Sequence, residues 1–307
     1  MVTIATCITT YNCENKIKEV IESCIFQDQK SDQIIIVDDC SEDSTFEIAS
    51  NVLNNFKGSK VLYKFEKNNG GPAWSRNKGL ELSNCQYTAF LDGDDLALPC
   101  RIKYLKKHLT KSSPDLLIHG MMKSKIDFQR KVIKPIFKLD TISKKNCKLE
   151  DILLTSKLAP GSSLVLLTKV GKICRFSEDQ DIIAGEDKEL VIKLCQKNFF
   201  VTTLRESLCL NYFGSIGKKK SNKIDEHISS PYKTRKVVDY VINKYASKKK
   251  VIFEFEVSRL IAIYKIDGIL EFIKKLSSYQ FLISSRLIFI LIKKSISQFS
   301  NKFIMSK

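Results

Sequence analysis

The chain has 307 residues, 43% of them hydrophobic and 28% charged, which leaves room for one large domain with a smaller appendage and excludes wholesale disorder. Its ten cysteines include no Cys-x-x-Cys pair, and His108, His119 and His227 lie far apart. That pattern argues against a disulfide scaffold or a zinc site and for reduced, mostly buried thiols in a cytosolic protein, and the weakly apolar, uncharged start at Met1 predicts no secretory signal peptide.

In chain order, Val2–Thr10 is a β-rich run that ends at Tyr11-Asn12, and Ile17, Val20, Ile21, Cys24 and Ile25 then recur at helical spacing. Gln33–Val37 is continuously apolar after its first residue, as suits a strand buried on both faces of a parallel sheet, and it stops at Asp38-Asp39. Ser44 with Glu47 has the capping-box pattern and opens a helix whose apolar side is Ile48, Ala49, Val52, Leu53 and Phe56. Val61–Phe65 is a third strand, Asn68-Asn69-Gly70-Gly71 a turn, and Pro72 sits where a helix can start. Tyr87–Leu91 is a fourth strand and delivers Asp92-Gly93-Asp94-Asp95. This alternation predicts a doubly wound α/β sheet with ligands gathered beyond the carboxyl ends of its strands.

Beyond residue 100 the pattern is weaker. Leu116–Gly120 and Val132–Phe137 read as strands and Ala159–Ser163 as a loop. Glu186–Leu194 reads as a helix with an acidic start and Leu190, Val191 and Leu194 at helical spacing. From about Tyr232 the chain is helical and basic, through Val237–Tyr245, Ile252–Tyr264, Ile269–Leu276 and Phe281–Phe299. Residues 1–217 carry 31 Lys and Arg against 27 Asp and Glu, whereas residues 218–307 carry 20 against 7, so most of the net charge of +17 lies in the last 90 residues. Charge and periodicity together place a boundary near 217–230 and give the C-terminal part an anionic partner, either nucleic acid or a membrane surface.

The acidic run after the fourth strand is the centre of the functional reading. Three carboxylates in four residues repel one another, and Mg²⁺ or Mn²⁺ ligated by one or two of them plus substrate phosphates would relieve the repulsion. The plainer alternative is a solvated acidic turn that caps the helix beginning near Arg101. Asp38-Asp39 could likewise be an N-cap pair ahead of Ser41–Thr45, and Arg76 suits a diphosphate, one of the aspartates, or a surface salt bridge. Polar groups at three strand ends aimed at one sheet edge favour the ligand-binding reading.

Four stretches appear in order and at matching spacing: Ile8-Thr9-Thr10-Tyr11-Asn12, Ile35-Ile36-Val37-Asp38-Asp39-Cys40-Ser41, Asn69-Gly70-Gly71-Pro72-Ala73-Trp74-Ser75-Arg76-Asn77 and Phe90-Leu91-Asp92-Gly93-Asp94-Asp95. Together they resemble the nucleotide-sugar half of family 2 glycosyltransferases, which have the GT-A fold. The resemblance implies a mixed sheet flanked by helices over residues 1–220, with a nucleotide-sugar half at 1–110, an acceptor half at 111–220 and a basic helical region at 221–307. It implies that Thr9, Tyr11 and Asp38 or Asp39 hold the nucleoside, with Asn12, Gly71 and Arg76 in the donor-binding set. It further implies Asp92 near the ribose or diphosphate and Asp94 as the ligand of Mn²⁺ or Mg²⁺, with Asp92 sharing the metal.

The family also has an acceptor-side acidic pair opening a helix, and Gly185-Glu186-Asp187-Lys188-Glu189-Leu190 resembles it. By that resemblance Asp187 is the catalytic base with Glu186 beside it; the plainer reading is an acidic first turn matching the helix dipole. Leu210-Asn211-Tyr212-Phe213-Gly214-Ser215 with Lys218–Lys220 loosely resembles the mobile basic segment that closes the family's site. Cys40 stands where the family usually has Gly, and Gly93 where Ala or Ser is frequent. Cys40 reads as a buried structural thiol rather than a nucleophile.

These features imply an inverting, metal-dependent transferase moving a sugar from a nucleotide-diphosphate donor, UDP favoured, to a glycan or lipid-linked hydroxyl in surface polysaccharide assembly. Phe281–Ile292 is too short to span a bilayer, and the basic helices suit either the inner membrane surface or packing on the catalytic domain. The rival readings are a nucleotidyltransferase on a similar sheet, which would release pyrophosphate, and a nucleic-acid-binding protein. The latter accounts for the basic tail but not for aspartates at three strand ends, and no nucleic-acid partner is expected.

Overall fold

The computed structural model of the protein describes residues 1–67, 71–127, 132–139, 161–178 and 186–212, all within the first of two units into which the chain divides, Met1–Ile224. The helices expected after Tyr232 fall outside the described residues, as do Asn68-Asn69-Gly70, Ala159-Pro160 and the stretch from Phe213 to Lys220.

Strands β1 (Ile4–Thr10), β2 (Gln33–Asp38), β3 (Ser59–Lys64) and β4 (Tyr87–Asp92) run parallel in the order β3-β2-β1-β4. The sheet continues through β8 (Leu164–Leu167), β6 (Leu116–Asp127), β9 (Val201–Tyr212) and the short β5 (Leu96–Ala97), and β7 (Val132–Leu139) pairs with β6. β8 is antiparallel to both β4 and β6, and β9 is parallel to β6, so the sheet is mixed. The helices are α1 (Ile17–Ile25), α2 (Thr45–Leu53), α3 (Pro72–Leu82), α4 (Arg101–Ser112), α5 (Thr168–Ile173) and α6 (Glu186–Gln196).

Every residue of β1 and β2 is buried, because helices cover both faces of the parallel half. Ile17, Val20, Ile21, Cys24 and Ile25, the helical stripe of α1, join Ile8, Ile34, Ile36, Ala49 and Leu53 in one core cluster. Ile102, Leu105 and Leu109 of α4 pack with Ile4, Tyr87, Ala89, Leu117 and Val165 in a second. The edge strand β3 is half exposed, and its Lys60 folds back to donate to the carbonyls of Leu53, Asn54 and Phe56, at and beyond the C-terminus of α2. Six of the nine described cysteines are buried, in line with the expectation of mostly buried thiols.

Several local expectations are corrected. α2 begins after Ser44, but the capping box does not form: Ser44 makes no side-chain cap bond, and Asp43 Oδ1 instead accepts from Thr45 N at 3.0 Å and from Thr45 Oγ1 at 2.5 Å. β6 and β7 extend beyond their expected ends, and β8, α5 and β9 were not anticipated. Leu210 belongs to β9, paired with Leu96, rather than to a mobile closing segment. Within the expected loop, Gly161–Ser163 form a 3₁₀ turn that meets the end of β4.

Candidate active site

The register of the central strands brings the polar strand ends to one level. Thr9 stands beside Asp92, and Thr10 beside Asp38. Because β1 lies between β2 and β4, where the strand order reverses direction, this edge is the crevice at which open α/β sheets bind ligands.

Asp38 is not part of the open face of that crevice. It is 1% exposed; Oδ1 accepts from Ser41 Oγ at 2.5 Å and Thr10 Oγ1 at 3.2 Å, and Oδ2 accepts from Ser41 N at 2.9 Å. The pair is not an N-cap of α2, which starts at Thr45. Tyr11 is half exposed at the tip of β1, and Asn12 sits at φ 47° with Oδ1 accepting from Glu42 N at 2.9 Å. Cys40 is half-buried rather than buried as expected; it has φ 62°, a left-handed conformation that explains why glycine suits this position, and its Sγ lies 3.5 Å from Glu66 O. Gly71 precedes Pro72 in extended backbone.

Arg76 lies in the interior, 2% exposed, rather than in a surface salt bridge. Nη2 donates to Asp92 Oδ1 at 2.8 Å, and Nη1 donates to Glu186 Oε1 at the start of α6. Burial works against this cation, but Asp92, Glu186 and Asp187 outweigh it and hold the guanidinium above its ordinary pKa. Burial pushes the Glu186 carboxyl up, and Arg76 pulls against it. Asp187 is half-buried, and its Oδ1 accepts from Lys188 N at 2.7 Å. The acidic first turn of α6 is therefore tied to Asp92 at the end of β4 through Arg76 of α3, a role that dipole matching alone does not require.

Residues to which the sequence reading gave no part in the site complete the arrangement. Ser162 Oγ accepts from Asp92 N at 2.9 Å and donates to Asp95 Oδ2 at 2.6 Å, so the turn before β8 is pinned to the acidic run. Asp95 is fully buried, and α4 has no side-chain cap, so the run is not a solvated cap of α4. Arg101, also fully buried, donates to the carbonyls of Phe90 and Ser162 at 2.7 and 3.1 Å. Gly161 packs so tightly on Arg76 that a Cβ there would lie 2.1 Å from Nη2.

Residues 6–163 match the family described as Glycosyl transferase family 2. The chain belongs to that family. Over 273 residues, 88% of this chain and 42% of the relative, it is 26% identical to poly(ribitol-phosphate) beta-N-acetylglucosaminyltransferase TarS of Staphylococcus aureus. Over 95 residues, 31% of this chain and 36% of the relative, it is 36% identical to the Escherichia coli UDP-Glc:alpha-D-GlcNAc-diphosphoundecaprenol beta-1,3-glucosyltransferase WfaP. The chain thus spans well under half the length of these curated relatives. The structure of S. aureus TarS 1-349 in complex with UDP-GlcNAc superposes with a TM-score of 0.63 at 20% identity, covering 88% of this chain and 77% of that one. A mannosyltransferase from Pyrobaculum calidifontis in complex with GDP-Man and Mn²⁺ also gives a TM-score of 0.63, at 14% identity and 95% and 79% coverage. The fold of this family 2 chain is GT-A.

A divalent cation fits the residues of this family 2 site as a shared ligand of protein and substrate. Asp94 is half exposed, and Lys16 Nζ lies 3.5 Å from its Oδ2, the position a metal ion would contest. Burial raises the Asp94 carboxyl, Lys16 opposes the shift and the charge of Asp92 adds to it. Among the described residues no group of three or more His, Cys, Asp or Glu side chains could hold a metal ion by itself. Mg²⁺-type ions are commonly held by one or two carboxylates with substrate phosphates completing the shell, and Asp94 with Asp92 supplies that number. Among the described residues no helix is long and apolar enough to cross a membrane.

Proposed function

We propose that this chain is an inverting glycosyltransferase that moves a sugar from a nucleotide-diphosphate donor, a UDP-sugar first among them, to a hydroxyl of a glycan or lipid-linked acceptor in surface polysaccharide assembly. The observation that carries the proposal is the Arg76 bridge, which joins the carboxylate at the end of β4 to the acidic turn opening α6. Donor and acceptor machinery are thereby held in one rigid frame, as a single displacement requires. The UDP-GlcNAc bound by TarS supports a uridine donor, the Mn²⁺ bound by the mannosyltransferase supports a divalent cation, and the diphosphoundecaprenol-linked substrate for which WfaP is named supports a lipid-linked acceptor.

In this mechanism Thr9, Tyr11, Asn12, Asp39 and Gly71 form the nucleoside and diphosphate cradle, with Asp38 bracing the loop behind it. Asp187 takes the proton of the acceptor hydroxyl as its oxygen bonds to the anomeric carbon. The bond from that carbon to the diphosphate oxygen breaks on the opposite face, the electron pair leaves with the nucleoside diphosphate, and the configuration inverts. Glu186, already paired with Arg76, anchors the helix and leaves proton transfer to its neighbour. Asp94 with Asp92 would hold Mn²⁺ or Mg²⁺, which would neutralise charge on the leaving diphosphate. The basic region at 221–307 would hold the enzyme at the inner membrane surface, and co-flotation of the full chain with anionic liposomes checks that part.

Calorimetric titration with UDP-, GDP-, CMP- and dTDP-sugars, with and without Mn²⁺, tests the proposal. One donor should bind in a metal-dependent way, and Asp94→Ala should abolish the metal dependence. Asp187→Asn should lower turnover by about 10²–10⁴-fold with donor binding kept. Release of pyrophosphate instead of a nucleoside diphosphate would show a nucleotidyltransferase, and no binding to any donor would overturn the reading.

A further inference from the structure

Asn77 follows Arg76 on α3 and is 1% exposed. Its carboxamide is engaged at every edge with the chain ahead of α6. Phe176 N donates to Asn77 Oδ1 at 2.9 Å, while Asn77 Nδ2 donates to Phe176 O at 3.0 Å and to Glu178 Oε1 at 2.7 Å. Bonding both the N–H and the C=O of one residue, the amide acts as a strand neighbour would and fixes Phe176 in position.

The Phe176 ring then occupies a specific place. It meets the ring of Phe90, two residues before Asp92 on β4, edge-on at 5.3 Å between centroids. Arg76 Cζ lies 5.5 Å from the centroid of the same ring. Arg76 Nε makes no hydrogen bond among the described residues. The direction of the guanidinium is therefore set by its two carboxylates, by the Phe176 ring and by the close approach of Gly161. Of these, Phe176 is the contact that Asn77 controls.

We infer that Asn77 is a positioning residue for the transfer reaction: by fastening Phe176 against the Arg76 guanidinium, it sets how Arg76 meets Asp92 and Glu186, and so where the first turn of α6 presents Asp187. This inference rests on the reading in which Asp187 is the base. Packing alone would make Asn77 matter for stability and leave the turnover of folded enzyme unchanged. A positioning role lowers turnover more than it weakens UDP binding, because Thr9, Tyr11, Asn12 and Asp39 of the proposed cradle lie at the ends of β1 and β2, whereas Phe176 meets Phe90 and Arg76.

The test uses the full chain with Mn²⁺ and follows the hydrolysis of UDP-GlcNAc, or of whichever nucleotide-sugar the donor panel identifies, with water as acceptor. Asn77→Asp keeps the shape but turns both donations into repulsions at Phe176 O and Glu178. Adding Glu178→Gln restores a donor opposite the new carboxylate. Phe176→Leu removes the ring and leaves Asn77 intact. For Asn77→Asp and Phe176→Leu, kcat should fall by about 10- to 100-fold, the scale of a misplacement of about 1 Å, with the Kd for UDP within about threefold of wild type. The double variant should recover part of the loss. If Asn77→Asp does not fold, as judged by lost UDP binding, Phe176→Leu decides alone. Variants that bind UDP and keep the wild-type kcat, while Asp187→Asn is impaired, would overturn the inference and leave the functional reading intact. A wild-type protein that neither binds nor hydrolyses any donor overturns the functional reading itself, and the inference with it.

Discussion

Arg76 and Glu186, 110 positions apart in the chain, form an ion pair in which both side chains are buried. Their union also satisfies Asp92, so one guanidinium neutralises carboxylates from β4 and α6. Removing it leaves buried negative charge uncompensated. Arg76→Met should cost about 3–5 kcal/mol of stability, read from urea or guanidinium denaturation midpoints, and should reduce transfer in the folded fraction. Arg76→Lys should recover little, because a single ammonium does not reproduce a planar fork that addresses two carboxylates at once.

Two glycines near this pair should respond differently. A Cβ at Gly161 would lie 2.1 Å from Arg76 Nη2 and 2.6 Å from Cζ, atoms that cannot retreat without breaking both ion pairs. At Gly93 the contacts would be 3.0 Å to Cys13 Sγ and to Thr9 O and 3.1 Å to Thr10 Cβ, which small shifts relieve. Gly161→Ala should therefore destabilise by about 1–3 kcal/mol and lower turnover, while Gly93→Ala should be the milder change, below about 1.5 kcal/mol. Thermal unfolding with parallel donor-binding measurements would rank them.

The paired aspartates after β2 should separate by function. Asp38 accepts three hydrogen bonds, from Thr10 and Ser41, inside the fold. Asp38→Ala should lower stability by about 1–3 kcal/mol, because Thr10 and Ser41 lose their acceptor. Asp39→Ala should weaken UDP binding, which calorimetry at a temperature well below unfolding would detect.

Stability should also depend on pH through His119. The ring is fully buried with Nδ1 2.7 Å from Gly120 O, and desolvation, with the charge of Arg101, lowers its pKa to about 3. The unfolded chain takes up a proton near pH 6.5, whereas the folded chain resists protonation until about pH 3. The unfolded state thus binds more protons in that window, and stability falls as pH falls through it. From pH 7.5 to pH 5 the loss from this one group should be about 2 kcal/mol, and His119→Gln should flatten that part of the stability profile.

The parallel half of the fold was legible because its periodicities are local. Ile34–Val37 is apolar without interruption because both faces of β2 are covered, and the stripe from Ile17 to Ile25 follows the one buried side of α1. α3 was harder to read from pattern, since it buries Ser75, Arg76 and Asn77 alongside Ala73 and Leu80, and only Pro72 at its start announces it. β8 and β9 escaped notice because their partners come from distant parts of the chain: β8 pairs with β4 and β6, and β9 with β6 and β5.

By itself, the sequence determined that this protein alternates strands and helices, that carboxylates stand at the ends of β2 and β4, and that an acidic turn opens a helix at Glu186. Each of those facts follows from residue type and spacing along a few consecutive positions. Only the tertiary structure decided that Asp38 braces a loop while Asp94 stands half exposed, that Ser162 pins the acidic run, and that Arg76 belongs to Asp92 and Glu186 together. Which carboxylate a buried cation neutralises depends on strand register and helix packing between segments far apart in the chain, and no local periodicity encodes that pairing.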